Sequence, residues 1–133
     1  MAGYSGTPLV QKLGIKPDSR VALVEAPNDF ARTLGIRPRT ARGPLDVIVF
    51  FATAHAALAR RFGTLARALA PAGGFWIAWP KRSSGMATDL NENVVREVGL
   101  GAGLVDNKVC AIDDTWSGLR FVIRLKDRPG GKR

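Results

Sequence analysis

Two short polar segments hold the side chains best suited to chemistry, and the first follows an apolar run that ends at Pro80. Lys81, Arg82, Ser83 and Ser84 combine two cations with two hydroxyl groups. A helix is predicted to begin shortly after them, and a helix N-terminus favours negative charge through its free N–H groups and its dipole. The segment is therefore a candidate anion-binding site. The alternative is that Lys81 or Arg82 pairs with an acid of the second segment or is solvated.

The second segment, residues 113–117, combines acids, hydroxyl groups and an aromatic ring. Asp113 and Asp114 are candidate acid–base groups, or they hold the loop by the turn hydrogen bonds that Asp commonly makes. Trp116 is predicted to lie in this polar loop, where its ring either stacks on a ligand or folds back over the neighbouring strands. The predicted ligand-binding residues of the two segments are Lys81, Arg82, Ser83, Ser84, Thr115, Trp116 and Ser117.

His55, the only histidine, is a third candidate for catalysis. It precedes Leu58 by three residues, on the apolar side of a predicted helix, and histidine suits acid–base chemistry near neutral pH. No Ser or Cys adjoins His55 as a nucleophile, so a capping or packing role is the alternative. No set of His and Cys residues offers a metal site. The single cysteine, Cys110, is predicted to be a small buried residue within a strand.

The chain carries a formal net charge of +9, to which arginine is the main contributor. Residues 32–67 contain seven arginines and one acid, Asp46. Such a surplus attracts nucleic acid, anionic small molecules or an acidic protein surface, or it is simply a solvated basic surface. Aromatic residues do not alternate with these arginines, and the motifs of common nucleic-acid folds are missing. Nucleic-acid binding is therefore a minor hypothesis.

The chain has the length and composition of one folded domain. Its 133 residues are 46% hydrophobic and 23% charged, which is enough apolar material for a single core. We expect one domain over residues 1–125 and a basic, glycine-rich tail over 126–133 that frays. The N-terminal residues lack the pattern of a secretory signal, and no segment is long enough to span a bilayer. These features, with a single cysteine, predict a cytoplasmic protein without a membrane partner.

Apolar runs and helical spacings alternate along the first two thirds of the chain. Short apolar runs predict buried strands over 21–24, 46–51 and 75–79, with a turn over 71–74. Short helices are predicted near 8–13 and 30–34, and residues 37–43 form at most a stunted strand. The clearest helix follows the second strand, where Leu58, Phe62, Leu65 and Leu69 share one face.

The last third predicts one helix and a pair of strands. Asp89 and Glu92 have the spacing of a capping box, and the helix that they begin ends among glycines 99, 101 and 103. A strand follows from about 104 to 112, and another returns antiparallel to it over 119–125. The oligomeric state is not indicated by any of these patterns.

Residues 45–81, LDVIVFFATAHAALARRFGTLARALAPAGGFWIAWPK, resemble the latter half of a class I, Rossmann-like methyltransferase. The shared features are an Asp opening a buried strand, a leucine-rich helix, a Pro-x-Gly-Gly turn and a further apolar strand. The resemblance implies an α/β fold of three layers, with a mostly parallel sheet and a C-terminal antiparallel hairpin strand. The fold is shortened relative to that family.

The whole chain is also similar to a small bacterial family, domain of unknown function 3052. The segments that carry this likeness are GYSGTPLVQKLGI near the start, WPK at 79–81, TDL at 88–90 and VCAIDDTWSGLRFVIR at 109–124. The likeness covers nearly the full length. It implies no particular activity.

The cofactor contacts of a methyltransferase are missing from the sequence. The turn after the first strand, Glu25 to Asp29, contains no glycine, although close approach of backbone to cofactor requires one. Arg37, Arg39 and Arg42 stand where the resemblance implies an acid that holds the ribose. About two dozen residues separate the first strand from the second, too few for two full crossovers. We therefore expect no cofactor and no S-adenosylmethionine-dependent methyl transfer.

In a fold of this kind the carboxyl ends of the parallel strands lie at one edge of the sheet, and the ligand-binding crevice is located there. We expect the residues after each strand, including His55 and both polar segments, to converge there. The sequence favours a non-catalytic binding or regulatory domain whose ligand is an anionic small molecule or an acidic protein surface. One alternative is an enzyme that uses the crevice on an anionic substrate. The other is non-specific nucleic-acid binding through the basic surface.

Overall fold

The computed structural model describes residues 7–129. Four α-helices and five β-strands alternate along this part of the chain, and a 3₁₀ turn follows β3 (Arg82–Ser84) and another follows β5 (Leu125–Asp127). In chain order the elements are α1 (Leu9–Lys12), β1 (Val21–Val24), α2 (Phe30–Leu34), β2 (Leu45–Phe51), α3 (His55–Arg67), β3 (Leu69–Pro80), α4 (Glu92–Gly101), β4 (Leu104–Ala111) and β5 (Trp116–Ile123). The end of the predicted tail, residues 130–133, lies outside the described residues.

The five strands form one sheet in the order β1-β2-β3-β5-β4. Strands β1, β2 and β3 are parallel, whereas β5 lies antiparallel between β3 and β4. The predicted α/β fold, with a mostly parallel sheet and a C-terminal antiparallel strand, is confirmed. The predicted stunted strand reduces to one parallel bridge between Arg39 and Ala22 of β1.

Helices cover both faces of the sheet because its central strands are apolar on both sides. One core cluster contains Phe62 and Leu65 of α3 and Val95 of α4, packed on Phe75 and Phe121 of the sheet. We call this side the α3/α4 face. The other cluster joins residues of α1 and α2 to the opposite side, with Trp76, Phe51 and Trp116 among its sheet residues. We call that side the α1/α2 face, and the molecule therefore has three layers.

Strand β3 is longer than the sequence indicated, because the predicted turn at 71–74 belongs to the strand. The pairing of β2 with β3 shifts register between Leu45 and Val47, which absorbs the extra residues as an irregularity. A Cβ atom on Gly73 would lie 2.9 Å from the carbonyl oxygens of Leu45 and Asp46. The glycine thus permits close backbone contact within the sheet rather than ending an element.

The predicted capping box of α4 was wrong. Asn91 caps this helix, its Oδ1 accepting the N–H of Val94 at 2.9 Å. The carboxylate of Asp89 accepts the N–H of His55 at 2.7 Å, at the start of α3. Asp89 therefore satisfies a free donor of a helix 34 residues earlier in the chain.

Strand β5 begins three residues earlier than predicted. Trp116 is its first residue and pairs with Pro80 of β3, and Ser117 pairs with Trp79. The prediction that Trp116 lies in a polar loop was wrong, because the strand pairing with β3 extends to that position.

Candidate functional site

The carboxyl ends of β1, β2, β3 and β4 lie at one edge of the sheet, since β5 is antiparallel to both β3 and β4. The two polar segments meet at this edge. The backbone N–H of Lys81 donates to the carbonyl of Thr115 at 2.7 Å. The structure therefore brings together the segments that the sequence singled out, while their role in binding stays a prediction.

The segment after β3 forms a tight turn instead of leading into a helix. Ser84 Oγ donates to the carbonyl of Lys81 at 2.7 Å and accepts the N–H of Met86 at 3.1 Å. Helix α4 begins only at Glu92, so the predicted anion site does not adjoin its N-terminus. Within residues 7–129 no ion pair joins Lys81 or Arg82 to an acid. Arg82 and Ser83 are exposed.

The β4–β5 turn is organised by one carboxylate. Asp113 Oδ1 accepts the backbone N–H groups of Thr115 and Trp116, each at 2.8 Å, which is the turn-forming alternative considered from the sequence. The Trp116 ring is only 9% exposed and packs edge-on against Phe51 at a centroid distance of 5.0 Å. The ring thus packs over the β4–β5 hairpin and belongs to the core cluster of the α1/α2 face. Asp114 is exposed.

His55 is the first residue of α3 and is exposed, so its predicted place on the apolar side of the helix was wrong. Its backbone N–H is held by Asp89, as described above. Among the described residues, no hydrogen bond joins its imidazole to Asp113 or Asp114. The catalytic assignments of these three residues stay predictions.

A cavity of about 500 Å³ opens at the same edge, between the start of α1, the segment after β1 and the β4–β5 turn. Its apolar walls are Pro8, Leu9, Pro27, Phe30 and Ile112. The polar side chains of its lining include Lys12, Asp29, Thr33 and Asp113. Of these residues, the sequence identified Asp113 as a candidate for chemistry and placed Asp29 at the crevice as part of the turn after the first strand. No periodic pattern marks the others, because the cavity is assembled from three distant segments.

The turn after β1 has an unusual backbone conformation. Glu25 has a φ of 57°, a left-handed conformation that non-glycine residues rarely adopt. Its carboxylate pairs with Arg61 of α3 at 3.2 Å, and the Arg61 guanidinium lies over the Phe50 ring at 5.4 Å. This pair links the end of β1 to α3 across the crevice edge. Two residues on, Pro27 supplies no N–H to the turn.

The basic segment remains largely without acidic partners. Arg32 lies 3.7 Å from Asp29, with both side chains well exposed. Five further arginines of this segment are exposed and form no ion pair within residues 7–129: Arg37, Arg39, Arg42, Arg60 and Arg67. They lie along the segment beside β1 and on the outer side of α3.

Cys110 lies half-buried on β4, where desolvation raises the pKa of its thiol and the charges of Lys12 and Lys108 partly oppose that effect. The thiol is therefore less reactive than an exposed one. Among residues 7–129, no group of three His, Cys, Asp or Glu side chains comes together as metal ligands. No helix in that range has the length and apolar character needed to cross a membrane.

Comparison with solved structures identifies the fold. The fibrillarin pre-rRNA processing protein of Methanococcus jannaschii superposes with a TM-score of 0.53 and 15% identity, over 88% of this chain and 69% of that one. The ribosomal protein L11 methylase of Lactobacillus delbrueckii subsp. bulgaricus gives 0.51 and 15%, over 88% and 64%. This protein has a methyltransferase-like fold.

The methyltransferase-like fold is present here in a short form. Magnesium protoporphyrin IX methyltransferase from Synechocystis PCC 6803 has a TM-score of 0.50 and 10% identity, and the match covers 67% of this chain and 45% of that enzyme. The chain therefore spans less than half the length of that relative. No protein-family model and no curated protein matches the sequence, so the predicted membership of domain of unknown function 3052 stays a prediction.

Proposed function

We propose that this protein is a non-catalytic binding domain on a shortened methyltransferase-like fold, and that it takes a small molecule in the crevice cavity. The observation that carries the proposal is the cavity of about 500 Å³ at the carboxyl edge of the parallel strands. Ligands of open α/β sheets bind at this edge. The volume is that of a site for a small molecule.

The cavity lining favours a ligand with an apolar body and hydrogen-bond donors. Phe30 and Ile112 are both buried and supply the apolar wall. Asp29 and Asp113 supply carboxylate acceptors, and Lys12 is the one cation among the described residues of the lining. The anionic ligand expected from the sequence fits a different place, the exposed turn that carries Lys81 and Arg82. We propose that turn as the contact for an anionic small molecule or an acidic protein surface.

The residues at the crevice do not fit S-adenosylmethionine. The Glu25 side chain stands where close approach of a cofactor to the backbone calls for glycine, and Pro27 offers no N–H. The segment beside the first strand, where the resemblance implies an acid that holds the ribose hydroxyls, carries Arg37, Arg39 and Arg42 instead. We therefore derive no methyl transfer for this protein, and we interpret its cofactor site as degenerate.

The enzyme alternative requires a positioned acid–base pair. His55 is outside the cavity lining, and Asp113 is engaged with two backbone N–H groups of its own turn. A general base must reach a proton of a bound substrate. The binding function is therefore the better supported of the two.

The exposed arginines beside β1 favour a second candidate function, binding of nucleic acid through its phosphate backbone. Arg37, Arg39, Arg42 and Arg60 present four cations without ion-pair partners among the described residues. Contacts of this kind are independent of base sequence and weaken with salt.

The cavity proposal is tested by titrating the protein with a panel of aromatic amines and phenols and with S-adenosylmethionine, observed by amide chemical shifts. We expect shifts at Phe30, Thr33, Ile112 and Asp113 for members of the panel. Thr33 is an exposed residue of the lining, so Thr33→Phe should fill the cavity and weaken binding roughly tenfold. Thr40→Phe, at an exposed position outside the lining, should leave binding unchanged.

Two results would contradict the proposal. One is saturable binding of S-adenosylmethionine, which would show that the cofactor site is still functional. The other is panel binding that Thr33→Phe and Thr40→Phe weaken equally, which would place the ligand elsewhere.

A further inference from the structure

A further cluster of cations lies on the α1/α2 face of the sheet. Arg120 of β5 pairs in register with Trp76 of β3 on one side and with Lys108 of β4 on the other. Cross-strand partners project to the same face, and Trp76 belongs to the core cluster of the α1/α2 face. Arg120 and Lys108 therefore stand side by side on that face.

The Arg120 guanidinium lies directly on the sheet, in contact with Gly74. A Cβ atom on Gly74 would collide with its Nε, Cζ and Nη2 atoms, so the glycine provides the space in which the group lies. Arg120 is partly buried, and its Nη1 makes a long hydrogen bond of 3.3 Å to Asn107 Oδ1. Desolvation lowers the pKa of the guanidinium, and the nearby charge of Arg128 lowers it further. A positive charge is thus held where it is poorly solvated.

No acid compensates this charge among the described residues. Three other partly buried arginines are paired: Arg20 with Asp46 at 2.9 Å, Arg61 with Glu25 at 3.2 Å, and Arg96 with Glu92 and Asp106 at 2.7 and 2.9 Å. No ion pair within residues 7–129 involves Arg120, Lys108 or Arg128.

Among the described residues, the neighbouring cations donate only to backbone carbonyl groups. Lys108 Nζ donates to the carbonyl of Lys12 at 3.1 Å, and Arg128 Nε donates to that of Ile123 at 3.0 Å. Like charges directly opposite on paired strands destabilise a sheet, and a partly buried unpaired charge costs more. A bound anion would offset both costs.

We propose that Arg120, Lys108 and Arg128 form a binding site for a phosphate group, separate from the crevice cavity and from the Lys81–Arg82 turn. A guanidinium presents a planar fork of donors that matches two phosphate oxygens. A phosphate monoester carries a charge of about −2 at neutral pH, which two or three cations can balance. None of these three residues lines the crevice cavity, so this site does not depend on a ligand there.

The test measures binding of inorganic phosphate by calorimetry at constant ionic strength, with the melting temperature as a second readout. Arg120→Met and Gly74→Ala should each weaken phosphate binding roughly tenfold or more, the first by removing the charge and the second by displacing it. Arg124→Gln removes an exposed cation of the same strand region and should leave binding unchanged. In phosphate-free buffer Arg120→Met should melt no lower than the original protein, since an uncompensated charge is gone.

Two outcomes would favour a different explanation of phosphate binding. Equal weakening by Arg120→Met and Arg124→Gln would overturn it in favour of the long-range field of a basic protein. Binding that survives Arg120→Met but is lost in Lys81→Ala/Arg82→Ala would overturn it in favour of the turn after β3. A short single-stranded oligonucleotide that competes with phosphate would identify nucleic acid as the source of the phosphate group, and failure to compete would identify a small phosphorylated molecule.

Discussion

At the scale of single residues, Asp46 forms an ion pair with Arg20 that the sequence did not predict. Its carboxylate accepts the backbone N–H of Arg20 at 2.7 Å and two guanidinium N–H groups at 2.9 and 3.0 Å. These bonds lower the pKa of Asp46 from 3.8 to about 2. From the sequence, Asp46 was only the acid that opens a strand and the single acid among seven arginines. Its partner lies in a loop 26 residues earlier.

Asp46→Asn should lower the melting temperature at neutral pH by roughly 2–5 °C, a small effect because both side chains are about one third exposed. A carboxylate whose pKa is lowered by folding stabilises the protein above the unfolded pKa and loses that contribution as the pH falls towards the folded value. The original protein should therefore lose stability between about pH 4 and pH 2, and the variant should lose less. Melting curves across this range measure the difference. Asp18→Asn, at an exposed acid without an ion pair among the described residues, serves as the control, and an equal loss in both variants would contradict the prediction.

At the scale of elements, helix α4 was predicted from local sequence signals, whereas its close packing against β5 was not. The spacing of Asp89 and Glu92, followed by glycines, predicted a helix here, and the structure places α4 over Glu92–Gly101. The helix ends among the glycines as predicted, at Gly101, with Gly103 beyond it in the left-handed region. Gly99 lies inside the helix, buried against the Phe121 ring, because only a residue without a side chain lets α4 approach β5 this closely. Strand register decides which ring faces the helix, and the sequence does not contain that information locally.

Gly99→Ala should lower the free energy of unfolding by about 1–3 kcal/mol, since its Cβ atom would collide with the Phe121 ring in the core. Gly63→Ala is the matched control in α3, where the new Cβ atom would meet only Arg67 Nη1 at 3.7 Å. That variant should raise the free energy of unfolding by about 0.5–1 kcal/mol, as expected when alanine replaces glycine in a helix. Urea denaturation measures both values. If both variants shift stability in the same direction, the close packing of α4 on β5 is not the cause.

At the scale of the whole molecule, the charge distribution determines which partners the surface attracts. The exposed arginines flank β1 and α3, the cation cluster around Arg120 lies near β4, and the net charge is +9. A basic protein of this kind binds polyanions weakly whether or not it has a specific site. A specific nucleic-acid surface differs from this general attraction in that its binding depends on arginines at particular positions.

The triple variant Arg39→Gln/Arg42→Gln/Arg60→Gln tests the nucleic-acid function by fluorescence anisotropy with a short duplex over a range of salt concentrations. The slope of the logarithm of affinity against that of salt should become shallower by up to about 0.9 for each arginine that contacts a phosphate. Lys16→Gln/Arg124→Gln/Lys126→Gln removes the same charge from other exposed positions and should change the slope less. Equal slopes for the two triple variants, or no binding at low salt, would contradict a nucleic-acid surface beside β1.

The order and type of the elements, the parallel central strands and the edge of the sheet where polar segments gather were all predictable from the amino-acid pattern. They were predictable because burial on a helix or strand leaves a local period in the chain. Four features became visible only in the folded molecule: Trp116 is buried, Asp89 binds the start of α3, three distant segments enclose the cavity, and Arg120 lies on Gly74. Each of these depends on contacts between residues far apart in the chain, which are set by strand order and register and leave no local pattern.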